Sequence, residues 1–443
     1  MGIRRHRKAR RCIGSIQVGY RFDTPKVRGL VPERPRSASI DGRGPSLHSE
    51  GAEFTHGSLR GMAFRRLGTI GATLAALACA PARDVRAADA PADLAPLLKR
   101  VCENGAIAPG GVAVVVRGGV VHAIGAFGRR VVDTEGALAA DDPIPFGCLA
   151  APTTALVCAL AIEAGSLRWT TTLGDVLGDE AAAIDIGWRG ATLAELASRR
   201  VAAVEGVTLA RLVEQTGGAD VSASRCRDAL LRLVGSVVPK TPHGTHDPVN
   251  RTGPCLAALV LERSAHTPFE GLAKRLVFDP LALTSARFAS ELTHADLTPA
   301  WAGHGDDGVA LAPAPPDARR RALAPAFGLR LSLTDAARLL AILADPANST
   351  SPVHVSAATA DPLTRPVAGA PAVCGWRAER RPWARGTAYF SSTRGEGWCS
   401  TAWIYPKRGY AIVVALNRSS EAAFTAAETL VEAVSSDDSL SGG

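Results

Sequence analysis

The sequence holds no C-x-x-C pair and no cysteine or histidine spacing typical of a metal site. That excludes zinc-ribbon and thioredoxin-type readings. It also lacks a charge excess over most of its length. The formal net charge is +8, but residues 1–61 alone carry thirteen Lys and Arg against five Asp and Glu. The other 37 basic and 37 acidic residues cancel, so no nucleic-acid partner is expected. A membrane span is missing too. The apolar stretch Leu67–Ala80 covers about 14 residues, short of the roughly 20 that cross a bilayer.

What stands at the N-terminus is a basic leader with no apolar period. Residues 1–61 read as disordered or untranslated. From Met62 the chain reads Met-Ala-Phe-Arg65-Arg66-Leu, then the short apolar run, then small residues around Ala87-Ala88. That order is a secretory signal, so 62–90 is expected to direct export to the periplasm or outside, with Met62 as the start. Arg65-Arg66 also permits a twin-arginine route. Lipid attachment at Cys79 is the less favoured alternative. Cleavage near Ala87 leaves Cys102, Cys148, Cys158, Cys226, Cys255, Cys374 and Cys399. An odd count leaves at least one thiol unpaired, and a buried small hydrophobe is the default reading of each.

The rest reads as one domain over 91–434 with a Ser/Asp/Gly tail, 435–443. A short helix near Leu94–Cys102 precedes a hairpin, Gly110–Arg117 and Val120–Ala126, turned at Gly118-Gly119. Pro152–Ala164 is apolar all round and ends at Gly165, as a buried helix does. Residues 180–320 are rich in helix formers, and Thr334–Ala344 is an amphipathic helix. Strands return at Cys374–Glu379, Thr387–Ser392, Cys399–Tyr405 and Tyr410–Asn417, before a last helix, Ala422–Val434. The fold class that follows is α/β (α+β). Both chain ends form one antiparallel sheet, flanked by helices, with a helical region between them.

Several segments, in order, resemble the β-lactamase-related serine hydrolases, which include class C β-lactamases, D-alanyl-D-alanine carboxypeptidases and related esterases. They are Pro109-Gly110-Gly111, Asp141–Gly147, Ala191-Thr192-Leu193, Phe278-Asp279-Pro280-Leu281, Pro325–Leu329 with Asp335 and Arg338, and Gly397, Pro406, Gly409 and Asn417. The resemblance covers roughly 105–417 and implies the β-lactamase/transpeptidase-like fold, including its penicillin-binding relatives. It also implies three catalytic elements: a Ser-x-x-Lys turn, a Tyr-x-Asn loop, and a Lys-Thr-Gly or His-x-Gly strand.

None of the three is present. In register with Gly147 and Gly165, Cys148 stands at the serine position and Ala151 at the lysine position. Gly244-Thr245 and Glu262 place Val249 at the tyrosine and Arg251 at the asparagine. Gly397 and Pro406 place Ser391, Ser392 and Thr393 on the third element. No Ser-x-x-Lys occurs anywhere in the chain. A hydroxyl needs a base to take its proton, and a general base or acid contributes about 10²–10⁴-fold.

The expectation is an exported, non-catalytic or very weak relative whose cleft binds a peptide or carboxylate ligand, with no cofactor and no metal. The alternative is a hydrolase of esterase, amidase or D-alanyl peptidase type with Cys148 as nucleophile. Arg251 and Arg394 would flank the cleft and hold a carboxylate, unless they pair with local acids. His243 and His246 lie in a Pro/Gly turn without a third ligand. His304 with Asp306-Asp307 reads as a solvated loop. Trp376, Trp398 and Trp403 read as core.

Overall fold

The structure is a computed structural model. It describes residues 90–437 and 439, except 203–207, 219–220, 240–243, 248–249, 294–295, 298–301, 314, 349 and 367–369. The expected leader and signal segment up to residue 89, Cys79 within it, His243 and Val249 lie outside the described residues.

Eight strands form the main sheet: β1 (Ala92–Asp93), β2 (Gly110–Arg117), β3 (Val120–Gly128), β4 (Ala372–Val373), β5 (Trp376–Arg381), β6 (Gly386–Gly395), β7 (Trp398–Tyr405) and β8 (Tyr410–Leu416). Their order is β1-β3-β2-β8-β7-β6-β5-β4. The two chain ends therefore meet at the β2–β8 pair, which runs antiparallel with Val114 opposite Val413. All pairs are antiparallel except the two-residue β1, which runs parallel to β3 at one edge. The β2–β3 turn carries Gly118 and Gly119 at φ 56° and 80°, a region open to glycine without penalty.

Both faces of the sheet are covered, so β8, and β2 up to its terminal Arg117, are continuous buried runs without polar alternation. Ala113, Val115, Ile412 and Val414 pack under α1 (Ala95–Val101) and the last helix, with Leu98, Leu430 and Val434. Val112, Val114, Val413 and Ala415 face the other core, with α2 (Gly147–Glu163) and the helical middle of the chain. The apolar pattern reads α2 over Pro152–Ala164, while the family resemblance puts a helix start near Cys148. In the structure α2 begins at Gly147 and Pro152 lies inside it. A small sheet explains this: Ile144-Pro145 pairs with Leu331-Arg330, and the Phe146 N–H donates to Leu329 O at 3.0 Å. That pins the helix start five residues before the proline.

Among the helices of the middle are α3 (Leu193–Ala197), α4 (Ala223–Gly235), α5 (Thr252–Ala265) and α6 (Ala318–Phe327). α7 (Leu333–Ala344) and α8 (Glu421–Ser436) follow. α8 runs two residues past the expected end, and the Ser435 hydroxyl bonds the Tyr410 hydroxyl at 2.9 Å. α4 and α5 are tied by a buried ionic triad. Arg227, on α4, reaches Glu262 at 2.6 Å and Glu270 at 2.8 Å.

The seven cysteines from Cys102 to Cys399 are all buried and unbridged. Trp376, Trp398 and Trp403 are core. His304 corrects the sequence reading. It is fully buried, its Nδ1 hydrogen-bonds Asn417 O at 2.6 Å, and its Nε2 accepts from the Val132 N–H at 3.0 Å. Burial lowers its pKa, which favours the neutral ring that both contacts require. Among the described residues, no helix is long and apolar enough to cross a membrane.

Candidate functional site

The start of α2 is the place to look, because the small sheet and the main sheet both fix it. Gly147 is required there. A Cβ on it would lie 2.6 Å from Phe327 O and 3.0 Å from the Thr393 methyl carbon. Cys148 follows, fully buried. Its N–H donates to the Ser400 hydroxyl at 3.4 Å, and that hydroxyl also hydrogen-bonds the thiol. Burial outweighs the hydrogen bonds and pushes the thiol up to about 12. A helix N-terminus ordinarily does the opposite, so the desolvation decides. At neutral pH Cys148 is a closed, protonated thiol.

Ala151, one turn on, is 1% exposed. The backbone of Gly375 (φ 84°) packs on this turn, so closely that a Cβ there would lie 2.6 Å from Pro152 Cα. A lysine in place of this buried methyl group would enter packed protein. Iodoacetamide applied to the native protein should leave the Cys148 peptide unmodified, and should label it fully after denaturation. Rapid native labelling of that peptide would show an accessible thiolate instead.

The third element lies on β6, where alternation separates its members. Ser391 and Thr393 pair with Ala402 and Ser400 of β7, on the α2 face. Ser391 is 1% exposed. Ser392 pairs with Thr401, whose hydroxyl bonds Glu428 of α8 on the opposite face, and Ser392 lines a groove there. The sequence reading that put all three side chains in one cleft is corrected for Ser392. Three consecutive residues of a strand cannot share a face. Arg394 also leaves the cleft and pairs with Glu421.

Arg251 sits at the N-terminal end of α5, exposed, with its guanidinium 4.9 Å above the Phe327 ring. The residue before it was missed in the sequence. Asn250 is buried and accepts from the N–H groups of Thr252 and Gly253 while donating to Val201 O at 2.6 Å. The signal was available, since Asn ahead of an apolar helical run is a cap.

Arg199 was missed as well. Burial pulls its pKa down to about 10, and the charges of Arg377 and Arg251 add to the effect. His246 belongs to the same region: burial lowers its pKa, and the charges of Arg377 and Arg199 lower it further. Its Nδ1 finds no hydrogen-bond partner among the described residues. No three His, Cys, Asp or Glu side chains come together as a metal site among the described residues. Arg199, Arg251 and His246, with Asp247 as a nearby acid, thus form a cationic cluster by the start of α5.

A family model, β-lactamase, matches residues 98–435. No curated protein sequence matches the chain. Among solved structures, a D-alanine carboxypeptidase AmpC from Burkholderia cenocepacia is similar, with a TM-score of 0.58 and 15% identity. The likeness covers 77% of this chain and 99% of that one. SurE is similar with a TM-score of 0.59 and 19% identity, over 77% of this chain and 73% of the other. At these identities the structures speak for the fold. The family model covers most of the chain, and the sheet, the α2 start and the flanking strands agree with it: the chain belongs to the β-lactamase family.

Proposed function

We propose that this protein is an exported, non-catalytic or very weakly active member of its family, with a cleft that holds a carboxylate-bearing ligand such as a peptide C-terminus. The observation that carries the reading is the turn Cys148–Ala151. A protonated, fully buried thiol stands where a nucleophile is needed, and a buried methyl group stands where a base is needed. The ligand class rests on Arg251, exposed at the α5 start and oriented by Phe327, with Arg199 nearby. A carboxylate is the anion whose planar geometry a guanidinium matches.

The alternative is a thiol-dependent hydrolase of esterase, amidase or D-alanyl peptidase type. It has the position of Cys148 at a helix start in its favour and the burial of the same atom against it. The similar structure titled a D-alanine carboxypeptidase makes N-acetyl-D-alanyl-D-alanine the first ligand to test. Calorimetry should show saturable binding that Arg251→Gln weakens about tenfold, the loss of a charged hydrogen-bonded pair, with no D-alanine released. Release of D-alanine that stops in Cys148→Ala would establish the thiol hydrolase instead.

A further inference from the structure

The opposite face of the sheet carries a feature that the cleft does not explain. Between β5–β7 and α8 runs an open groove of about 420 Å³, within the range that takes a small molecule. Its floor is aromatic. Phe390 and Trp403 stack with centroids 4.5 Å apart and planes 15° apart, and Trp383 meets Trp403 edge-on at 5.8 Å. Two arginines lie on this floor. Arg377 is 4.6 Å above Phe390 and Arg381 is 4.5 Å above Trp403.

The two guanidinium groups differ in what they already hold. Arg381 faces Glu379 at 3.3 Å and Glu428 at 3.6 Å. Glu428 is engaged too, accepting from the Thr401 hydroxyl at 2.6 Å and from Trp403 Nε1 at 3.3 Å. Arg377 feels the charge of Glu379, two residues along the same strand, but among the described residues it makes no ion pair or hydrogen bond, and burial outweighs that charge and lowers its pKa. It is half-buried and lines the groove. Stacking fixes its plane while leaving its N–H donors unused, a costly arrangement for a half-buried charge. Its charge reaches Arg199 and His246, whose pKa values it helps to lower. The other wall, from α8, offers Phe424, Thr425 and Thr429, with Glu432 at the exposed rim.

We propose that this groove binds a small organic monocarboxylate with a flat apolar body, and that Arg377 is its anchor. The carboxylate takes the donors that the protein leaves unused, in the two-point geometry guanidinium favours. The body lies against Trp383 and Phe424, the lining aromatics that are partly exposed. Glu432 and Glu428 disfavour a second anionic group, so a dianion binds less well. The site is separate from the Cys148 cleft and does not depend on the reading of that cleft.

Benzoate is the probe, with benzamide as its neutral analogue and phthalate as the dianion. The protein carries 5-fluorotryptophan, and the Trp383 fluorine signal, assigned through Trp383→Phe, is followed by NMR. Benzoate should shift that signal saturably, with a Kd on the order of 1 mM. Benzamide should give no saturable shift, and phthalate should bind more weakly than benzoate. Arg377→Gln should weaken benzoate at least about tenfold, while Arg377→Lys, which keeps the charge, loses less. Arg251→Gln should leave the titration unchanged, which separates the groove from the cleft. Equal binding of benzoate and benzamide, unchanged binding in a folded Arg377→Gln protein, or no saturable shift with benzoate would overturn the proposal.

Discussion

Arg227→Met should unfold with about 3–5 kcal/mol less stability than the parent protein, the usual cost of removing one partner from a buried ionic group. The mechanism is local. Arg227 is fully buried and donates to both Glu262 and Glu270. Glu262 also accepts from the Phe269 N–H at 2.9 Å and from Ser224 at 2.7 Å, and Glu270 from Ser290 at 2.7 Å. Removing the cation leaves two carboxylates facing each other in the core. The effect should depend on pH with a definite sign. Burial acts to raise the Glu270 pKa, but the Arg227 charge and its hydrogen bonds outweigh it and hold the carboxyl below its usual 4.5. A depressed acid pKa stabilises the fold above the unfolded value and loses that contribution as pH falls through the folded one. The parent protein should therefore lose stability as pH drops below about 4.5. The gap between parent and Arg227→Met should narrow over the same range, because the stranded carboxylates become neutral. Urea titrations at pH 7 and pH 4 measure both; an equal gap at the two values would assign the loss to packing alone.

The second large effect concerns restoration of the missing chemistry. The double variant Cys148→Ser, Ala151→Lys replaces nucleophile and base together, yet it should not be acylated by penicillin. It should also be destabilised by about 3 kcal/mol or more, because overpacking and an unpaired buried ammonium add. The site gives the reason. Ala151 is 1% exposed, so the lysine must force its length and its charge into packed protein. Ser391 still supplies no cation for a substrate carboxylate. Thermal melts and intact mass after incubation with penicillin check both halves. A stable double variant carrying one penicilloyl group per chain would show that the cleft had kept its working shape.

Much of the fold could be read from residue patterns. The β-branched runs at 110–117 and 410–416 with glycine turns identify buried strands at both chain ends, and the structure joins them in one sheet. The α2 start was legible only through the resemblance, which puts it near Cys148; the apolar pattern alone begins at Pro152, and the Ile144-Pro145 pairing that fixes the start is tertiary. Cys148 and Ala151 could be placed from Gly147 and Gly165, but their burial comes from Ser400, Thr393 and Gly375, all far along the chain. Ser392 was legible in principle, since strand alternation alone moves it to the other face. Arg199 and Arg251 come from separate segments, and no local pattern marks them as neighbours. His304 misled because Gly and Asp around it suggest a loop, whereas its ring spans Val132 and Asn417.

The central claim is that the start of α2 has no working nucleophile. The most direct measurement is the intact mass of the native protein after prolonged exposure to a fluorescent penicillin at neutral pH. The account expects the unmodified mass and no in-gel fluorescence. A stoichiometric adduct that maps to Cys148 and disappears in Cys148→Ala would contradict it.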